Sequence, residues 1–170
     1  MDALVEEFSL STTLPWQVIG VRLLLATCLG GVLGFEREMK DRPAGLRTHM
    51  LISLAAAVFA VITIEINGMA VFSDDQIRAD PMRLVEAITS GVAFLAAGTI
   101  LLRHGKVKGL TTGAGMWLAG ASGLSAGLGL WLVAGLSCLL GAFVLALLRR
   151  LETRMALKAR IHEADHESSD

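Results

Sequence analysis

From Gly109 to Leu148 the chain carries no charged residue, and this run limits the possible folds more than any other feature. As a helix rising 1.5 Å per residue it would extend about 60 Å, twice the ~30 Å hydrocarbon core of a bilayer. A single crossing cannot use it all. Gly127-Leu128-Gly129 lies near its midpoint and offers the backbone freedom of a tight helical hairpin, so the run divides into spans over residues 110–127 and 130–148.

Three more segments have the length and apolarity of membrane helices, over residues 16–35, 48–66 and 84–102. With 54% hydrophobic and 18% charged residues, and a mean hydropathy of +0.61, a 170-residue chain has too little polar surface to cover itself in water. The expected fold is an all-α, polytopic transmembrane bundle of about five helices. Residues 1–15 precede the bundle, residues 16–148 form it, and a basic-to-polar tail fills 149–170.

Basic residues in the short loops set the expected orientation. Arg37, Lys40, Arg42 and Arg47 follow the first span, Arg103, Lys106 and Lys108 the third, and Arg149, Arg150, Arg154, Lys158 and Arg160 the fifth. The opposite side holds Arg78 and Arg83 among Asp74, Asp75 and Asp80. Five spans then put the N-terminus outside and the C-terminus in the cytoplasm. Asp2, Glu6 and Glu7 occupy the place of a basic signal-peptide region, so the first span is expected to remain as an anchor.

Small residues recur at fourfold spacing. Ala26, Gly30 and Gly34 mark the first span; Gly115, Ala119, Gly123 and Gly127 the fourth; Ala134, Cys138, Ala142 and Ala146 the fifth. Such ridges let helix backbones approach in lipid, where the hydrophobic effect does not drive helices together. Gly91 and Gly98 give the third span a similar packing role, and the ridges also allow self-association, as in a dimer. Cys28 and Cys138 sit within apolar runs and read as packing residues.

Two polar clusters require a physical account. The cytoplasmic one gathers Glu36, Arg37, Glu38, Asp41, Arg42, Pro43, Gly45, Arg47, His49, Arg103, Thr111 and Thr112. Its carboxylates are hard donors of the kind magnesium prefers, but four neighbouring basic residues favour neutralisation by Arg, and the spacing matches no metal signature. The outer cluster holds Arg22, Glu65, Asp80, Arg83 and Glu86. Arg22 stands about two turns inside the first span, where it either snorkels to the headgroups or pairs with Glu86 or Glu65. Gly120-Ala121-Ser122-Gly123 matches the GxSG serine segment of rhomboid-type proteases. The histidines after Ser122, His162 and His166, lie in the tail, so the base such a serine requires is missing. No phosphate-binding loop, dinucleotide fingerprint or zinc-protease motif occurs, and no enzyme activity is expected.

Three ordered segments carry a resemblance. Glu36-Arg37-Glu38 leads to Arg42-Pro43-Ala44-Gly45-Leu46-Arg47-Thr48-His49; Asp80-Pro81-Met82-Arg83 leads to Ser90-Gly91-Val92-Ala93-Phe94-Leu95-Ala96-Ala97-Gly98; and Gly109-Leu110-Thr111-Thr112 is followed by Trp117. Together they resemble the signature of the MgtC/SapB family of bacterial inner-membrane proteins, with its DPxR, SGIGFLGAG and GLTT...W elements. Ala93 and Ala96 stand where that pattern has glycine.

The resemblance implies a multi-pass inner-membrane protein linked to magnesium homeostasis and adaptation to magnesium limitation, and in pathogens to survival within host cells. It implies a regulator acting through a second copy or another inner-membrane complex such as ATP synthase, and the alternative is a small oligomeric transporter or channel for magnesium or another cation. No cofactor is implied beyond magnesium itself, and nucleic acid is not an expected partner. Longer members carry a soluble cytoplasmic domain after the last span. The segment from Arg149 to Asp170 is too short to supply it, so that domain is expected to be absent. Within this framework Pro43-Ala44-Gly45 turns the chain between the first two spans, and Thr111 and Thr112 are expected to cap the fourth.

Overall fold

The computed structural model describes residues 12–39, 44–69, 80–103, 106–147 and 150. Five helices account for most of them: α1 (Trp16–Glu38), α2 (Leu46–Gly68), α3 (Pro81–Gly98), α4 (Leu110–Gly127) and α5 (Trp131–Leu147). A two-stranded antiparallel hairpin, β1 (Leu101–Arg103) and β2 (Lys106–Lys108), stands between α3 and α4.

Helices α1 and α2 are long and apolar enough to cross a membrane, and α5 is a shorter apolar helix. At 18 residues each, α3 and α4 reach about 27 Å, close to one hydrocarbon thickness. Large apolar side chains face outward along every helix, among them Leu24, Phe35, Leu51, Phe59, Phe94, Trp117, Leu132 and Phe143. Lipid satisfies such a surface and water does not. The molecule is an all-α helical membrane bundle.

Small residues hold it together. Ala26, Gly30 and Gly34 of α1, and Gly115, Ala119, Gly123 and Gly127 of α4, are all buried. They bring α1, α2 and α4 into close mutual contact, while α3 packs mainly on α4 and less extensively on α2. On α5 only the first half of the ridge is used: Ala134 and Cys138 are buried, Ala142 is partly covered and Ala146 is exposed. Hydrogen bonds across helices reinforce these approaches. Ser53 Oγ of α2 donates to the Ala26 carbonyl of α1 at 2.6 Å. Ser137 Oγ donates to the Ala134 carbonyl at 3.0 Å, which leaves it to accept from Ser122 Oγ of α4 at 2.9 Å.

The fold-back at residues 127–129 occurs as the glycines require. Gly129 takes φ +81, its N–H donates to Ala126 O at 3.0 Å, and the Leu130 N–H donates to Ser125 O at 2.8 Å. This is the paired closure of a Schellman motif, which satisfies two of the carbonyls left over at the end of α4.

The third span differs from its expected bounds of 84–102. Asp80 Oδ1 accepts the Met82 N–H at 2.9 Å and Pro81 opens the first turn, so the helix begins earlier. It ends at Gly98, where Thr99 Oγ1 donates to the Ala96 carbonyl at 2.8 Å, and the chain then pairs Leu101 with Lys108 and Leu102 with Val107. Gly109 follows with φ +97, its Cα packed so closely on the Thr99 carbonyl that a Cβ has no room.

Candidate polar centre at the α1–α2 turn

Glu38 lies at the last position of α1, and its Oε2 accepts the Leu46 N–H at 2.9 Å. The N-cap of α2 is Gly45, in an extended conformation without a side chain of its own to use. A carboxylate borrowed from the preceding helix therefore caps α2 and complements the positive end of its dipole. A Cβ on Gly45 would collide with that carboxylate. The Glu-x-x...Gly-Leu spacing thus reads physically as an acid and the vacancy it fills.

One turn further, His49 is 0% exposed. Its Nδ1 donates to the Gly45 carbonyl at 2.9 Å, which leaves Nε2 as a lone pair with no hydrogen-bond partner among the described residues. Glycines enclose the ring. A Cβ on Gly34 would stand 2.9 Å from His49 Cβ, one on Gly30 2.5 Å from His49 O, and one on Gly115 2.9 Å from Nε2. Thr112, one helical turn before Gly115, is also buried. Beside this group Arg37, 6% exposed, pairs through Nη2 with Glu36 Oε2 at 2.5 Å. The structure therefore brings Glu36, Arg37, Glu38, Gly45, His49, Thr112 and Gly115 together at one end of the bundle.

Other members of that predicted cluster stand apart. Arg47 and Thr111 are exposed, while Asp41, Arg42 and Pro43 lie outside the described residues. Thr111 and Thr112 do not cap α4: Gly109 holds the N-cap position in the left-handed region, with no side-chain bond to the helix start.

The outer residues do not form one ion-paired cluster. Arg22 Nη1 donates to the Gly127 carbonyl at 2.8 Å, and its guanidinium lies 6.0 Å from the Trp131 ring centroid. It takes the carbonyl that the Schellman closure leaves unsatisfied and places a cation at the negative end of α4. Among the described residues no ion pair joins it to Glu65 or Glu86. Glu65 instead accepts the Thr13 and Leu14 N–H groups at 2.6 and 3.0 Å, tying down the segment that enters α1. Asp80 caps α3, and Arg83 and Glu86 are exposed on it.

Gly91 and Gly98 also differ from their expected packing role. A Cβ on either meets nothing within 4 Å, and Phe94 between them is 81% exposed. Gly30, Gly34, Gly115 and Gly123 do pack against neighbouring helices. Sequence reasoning missed the β hairpin and the Ser122–Ser137 bond. The fourfold glycine-alanine spacing marked the packed face of α4 but not a donor on α5.

Chemically the buried centre offers one imidazole lone pair and one Arg–Glu pair. Among the described residues no group of three or more His, Cys, Asp or Glu side chains could hold a metal ion. Ser122 faces Ser137 rather than a base.

The model of the MgtC family matches residues 23–154. The chain is 35% identical over 138 residues to the putative magnesium transporter YhiD of Escherichia coli K12, covering 81% of this chain and 64% of that protein. It is 38% identical over 126 residues to the protein MgtC of Brucella suis, covering 74% of this chain and 49% of the relative. Protein SrpB of Synechococcus elongatus is 37% identical over 116 residues, with 64% and 62% covered. The chain thus spans between half and two thirds of the length of these relatives. No solved structure matches it. The segments that build the α1–α2 turn, the α3 cap and the start of α4 all fall within the matched region, and the chain belongs to the MgtC family.

Proposed function

We propose that this protein serves magnesium homeostasis in the bacterial inner membrane as a regulator, acting through contact with a second copy or with another membrane complex, ATP synthase being the example the family suggests. The observation that carries this reading is the use of its polar groups. Arg22, Glu38, Glu65 and Asp80 satisfy backbone groups at or beside helix ends, which leaves them poorly suited to a transport path. Between α1, α2 and α4 the close glycine contacts leave little room for a hydrated ion. The five helices form a multi-pass domain with the start of α1 outside, an orientation supported by the basic residues of the α1–α2 and α3–α4 connections.

The second reading, an oligomeric cation transporter, draws on the name of the Escherichia coli relative. Its path in an oligomer would run by Glu36 and Glu38 at the end of α1 and Glu86, exposed on α3. Magnesium uptake into liposomes containing only the purified protein distinguishes the two. The regulatory reading expects background uptake, with crosslinking in native membranes capturing a stable partner or a second copy. Robust uptake that disappears in Glu86→Ala overturns it.

A further inference from the structure

Helix α3 leans away from α2 along much of its length, leaving an apolar groove of about 400 Å³ between Ile52, Ala56 and Phe59 on one side and Leu84, Ile88 and Gly91 on the other. A second hollow of about 470 Å³ lies between Ala44, Thr48, Gly98, Thr99 and Met116. Leu95 lines both, so the two adjoin. From Leu84 to Thr99 they follow α3 for about 22 Å, longer than one leaflet's half of a ~30 Å core. Gly91 and Gly98 widen this channel because no side chain projects from them.

Two described cations flank its α2-start end. Arg47, beside the lining residue Thr48, is exposed, as is Lys108 at the end of the hairpin that continues from Thr99. Lys108 is held there because it pairs with Leu101, two residues after the lining residue Thr99, and because the next residue, Gly109, packs against the Thr99 carbonyl. An apolar channel in lipid with a cationic mouth has the layout of an amphiphile site with a negative head.

We propose that the α2–α3 groove holds one anionic phospholipid of the cytoplasmic leaflet, its acyl chain against Gly91, Val92 and Leu95 and its phosphate at Arg47 and Lys108. Two independent observations support it: the two adjoining apolar hollows along α3, and the charge complementarity at one end of them. The proposal rests on the membrane placement and on which end of the bundle is cytoplasmic. It holds for either a regulator or a transporter, so the uptake experiment and the lipid experiment fail separately.

The test uses the full chain, purified from bilayers of equal phosphatidylglycerol and phosphatidylethanolamine, with retained lipid counted by native mass spectrometry. Phosphatidylglycerol is expected to be retained in excess. Replacing Arg47 and Lys108 with Gln should reduce that preference by about fivefold for each cation removed. Gly91→Leu, which meets no protein atom at its Cβ, fills the groove and should lower retention of both lipids. Ala87→Leu provides a second plug if the first variant is not monodisperse. Equal retention of the two lipids by the unaltered protein overturns the proposal. So does a preference that survives the double substitution, or retention unchanged in both plugged variants. Crosslinking of a protein to the groove in place of lipid also overturns it.

Discussion

Gly123→Ala and Gly91→Ala are the same chemical change in two membrane helices of one bundle, and the structure assigns them opposite signs. A Cβ on Gly123 would overlap the Ser53 carbonyl oxygen and stand 2.6 Å from Ser53 Cα and 2.7 Å from its carbonyl carbon. All three are backbone atoms, so no rotamer change relieves the overlap, and α2 itself must retreat from α4. That retreat strains the 2.6 Å bond from Ser53 Oγ to Ala26 O, which ties α2 to α1. Overpacking in a close-packed site costs roughly 1–3 kcal/mol, and an interhelical hydrogen bond in a membrane protein contributes about 0.6–1.7 kcal/mol. Alanine's better helix propensity returns up to ~1 kcal/mol. The net expectation for Gly123→Ala is a loss of about 1–4 kcal/mol. At Gly91 the propensity gain acts alone, because a Cβ meets nothing within 4 Å, and the variant should be neutral or more stable by up to ~1 kcal/mol. Reversible unfolding of both variants in mixed micelles under increasing denaturing detergent measures the difference. If the two fall within about 0.5 kcal/mol of each other, the close approach of α2 and α4 through Gly123 is wrong.

Glu38→Ala removes the acceptor for the Leu46 N–H and should cost about 1–2 kcal/mol in the same unfolding assay; unchanged stability would show that α2 is capped by another group. Gly129→Ala forces a side chain to φ +81 and towards the Arg22 guanidinium, 2.7 Å from Nη2. It should destabilise by about 1–3 kcal/mol, while Gly20→Ala, which meets nothing within 4 Å, should be neutral on the same scale. Ser137→Ala removes the acceptor that Ser122 uses across α4 and α5, and a loss of about 0.6–1.7 kcal/mol is expected from the same measurement.

Helix existence was legible because span length, the uncharged run and the Gly127-Leu128-Gly129 break are all local properties. The packed faces of α1 and α4 were legible for a related reason: a fourfold repeat of small residues is visible in sequence, and here it coincides with burial at Gly30, Gly34, Gly115 and Gly123. The same reasoning misplaced Gly91 and Gly98, because spacing shows which residues share a face but not whether that face meets protein. The motif Glu36-Arg37-Glu38 with Gly45 and His49 was recognised as a cluster, yet its division of labour was not. Whether an acid pairs with an arginine or caps the next helix depends on where the chain returns, and that is a tertiary fact. The end of α3 was misread because Ile100, Leu101 and Leu102 continue the apolar pattern, although they leave the helix to enter the β hairpin.

Arg22 shows most clearly how a membrane charge can be explained without an opposite charge. An arginine two turns inside a span, with acids on two neighbouring spans, invites an ion pair, and exchanging the charges of Arg22 and Glu86 tests it. The structure predicts that this exchange does not rescue. Arg22→Glu sets a carboxylate against the Gly127 carbonyl, whose present partner donates at 2.8 Å, and takes the cation away from Trp131. Adding Glu86→Arg restores neither contact, since residue 86 is exposed on α3 and no bond links it to α1 among the described residues. The single Arg22 variant should lose about 2–3 kcal/mol, and the double variant should lose as much within about 0.5 kcal/mol. Recovery of more than half the loss in the double variant would refute the carbonyl assignment. If the assignment holds, the double variant leaves the Gly127 carbonyl unsatisfied, and Gly129→Ala, now without a guanidinium to displace, should be milder in the Arg22→Glu, Glu86→Arg background. Unchanged severity there would instead trace the Gly129 effect to its positive φ alone, which separates the strain of the turn from its contact with Arg22.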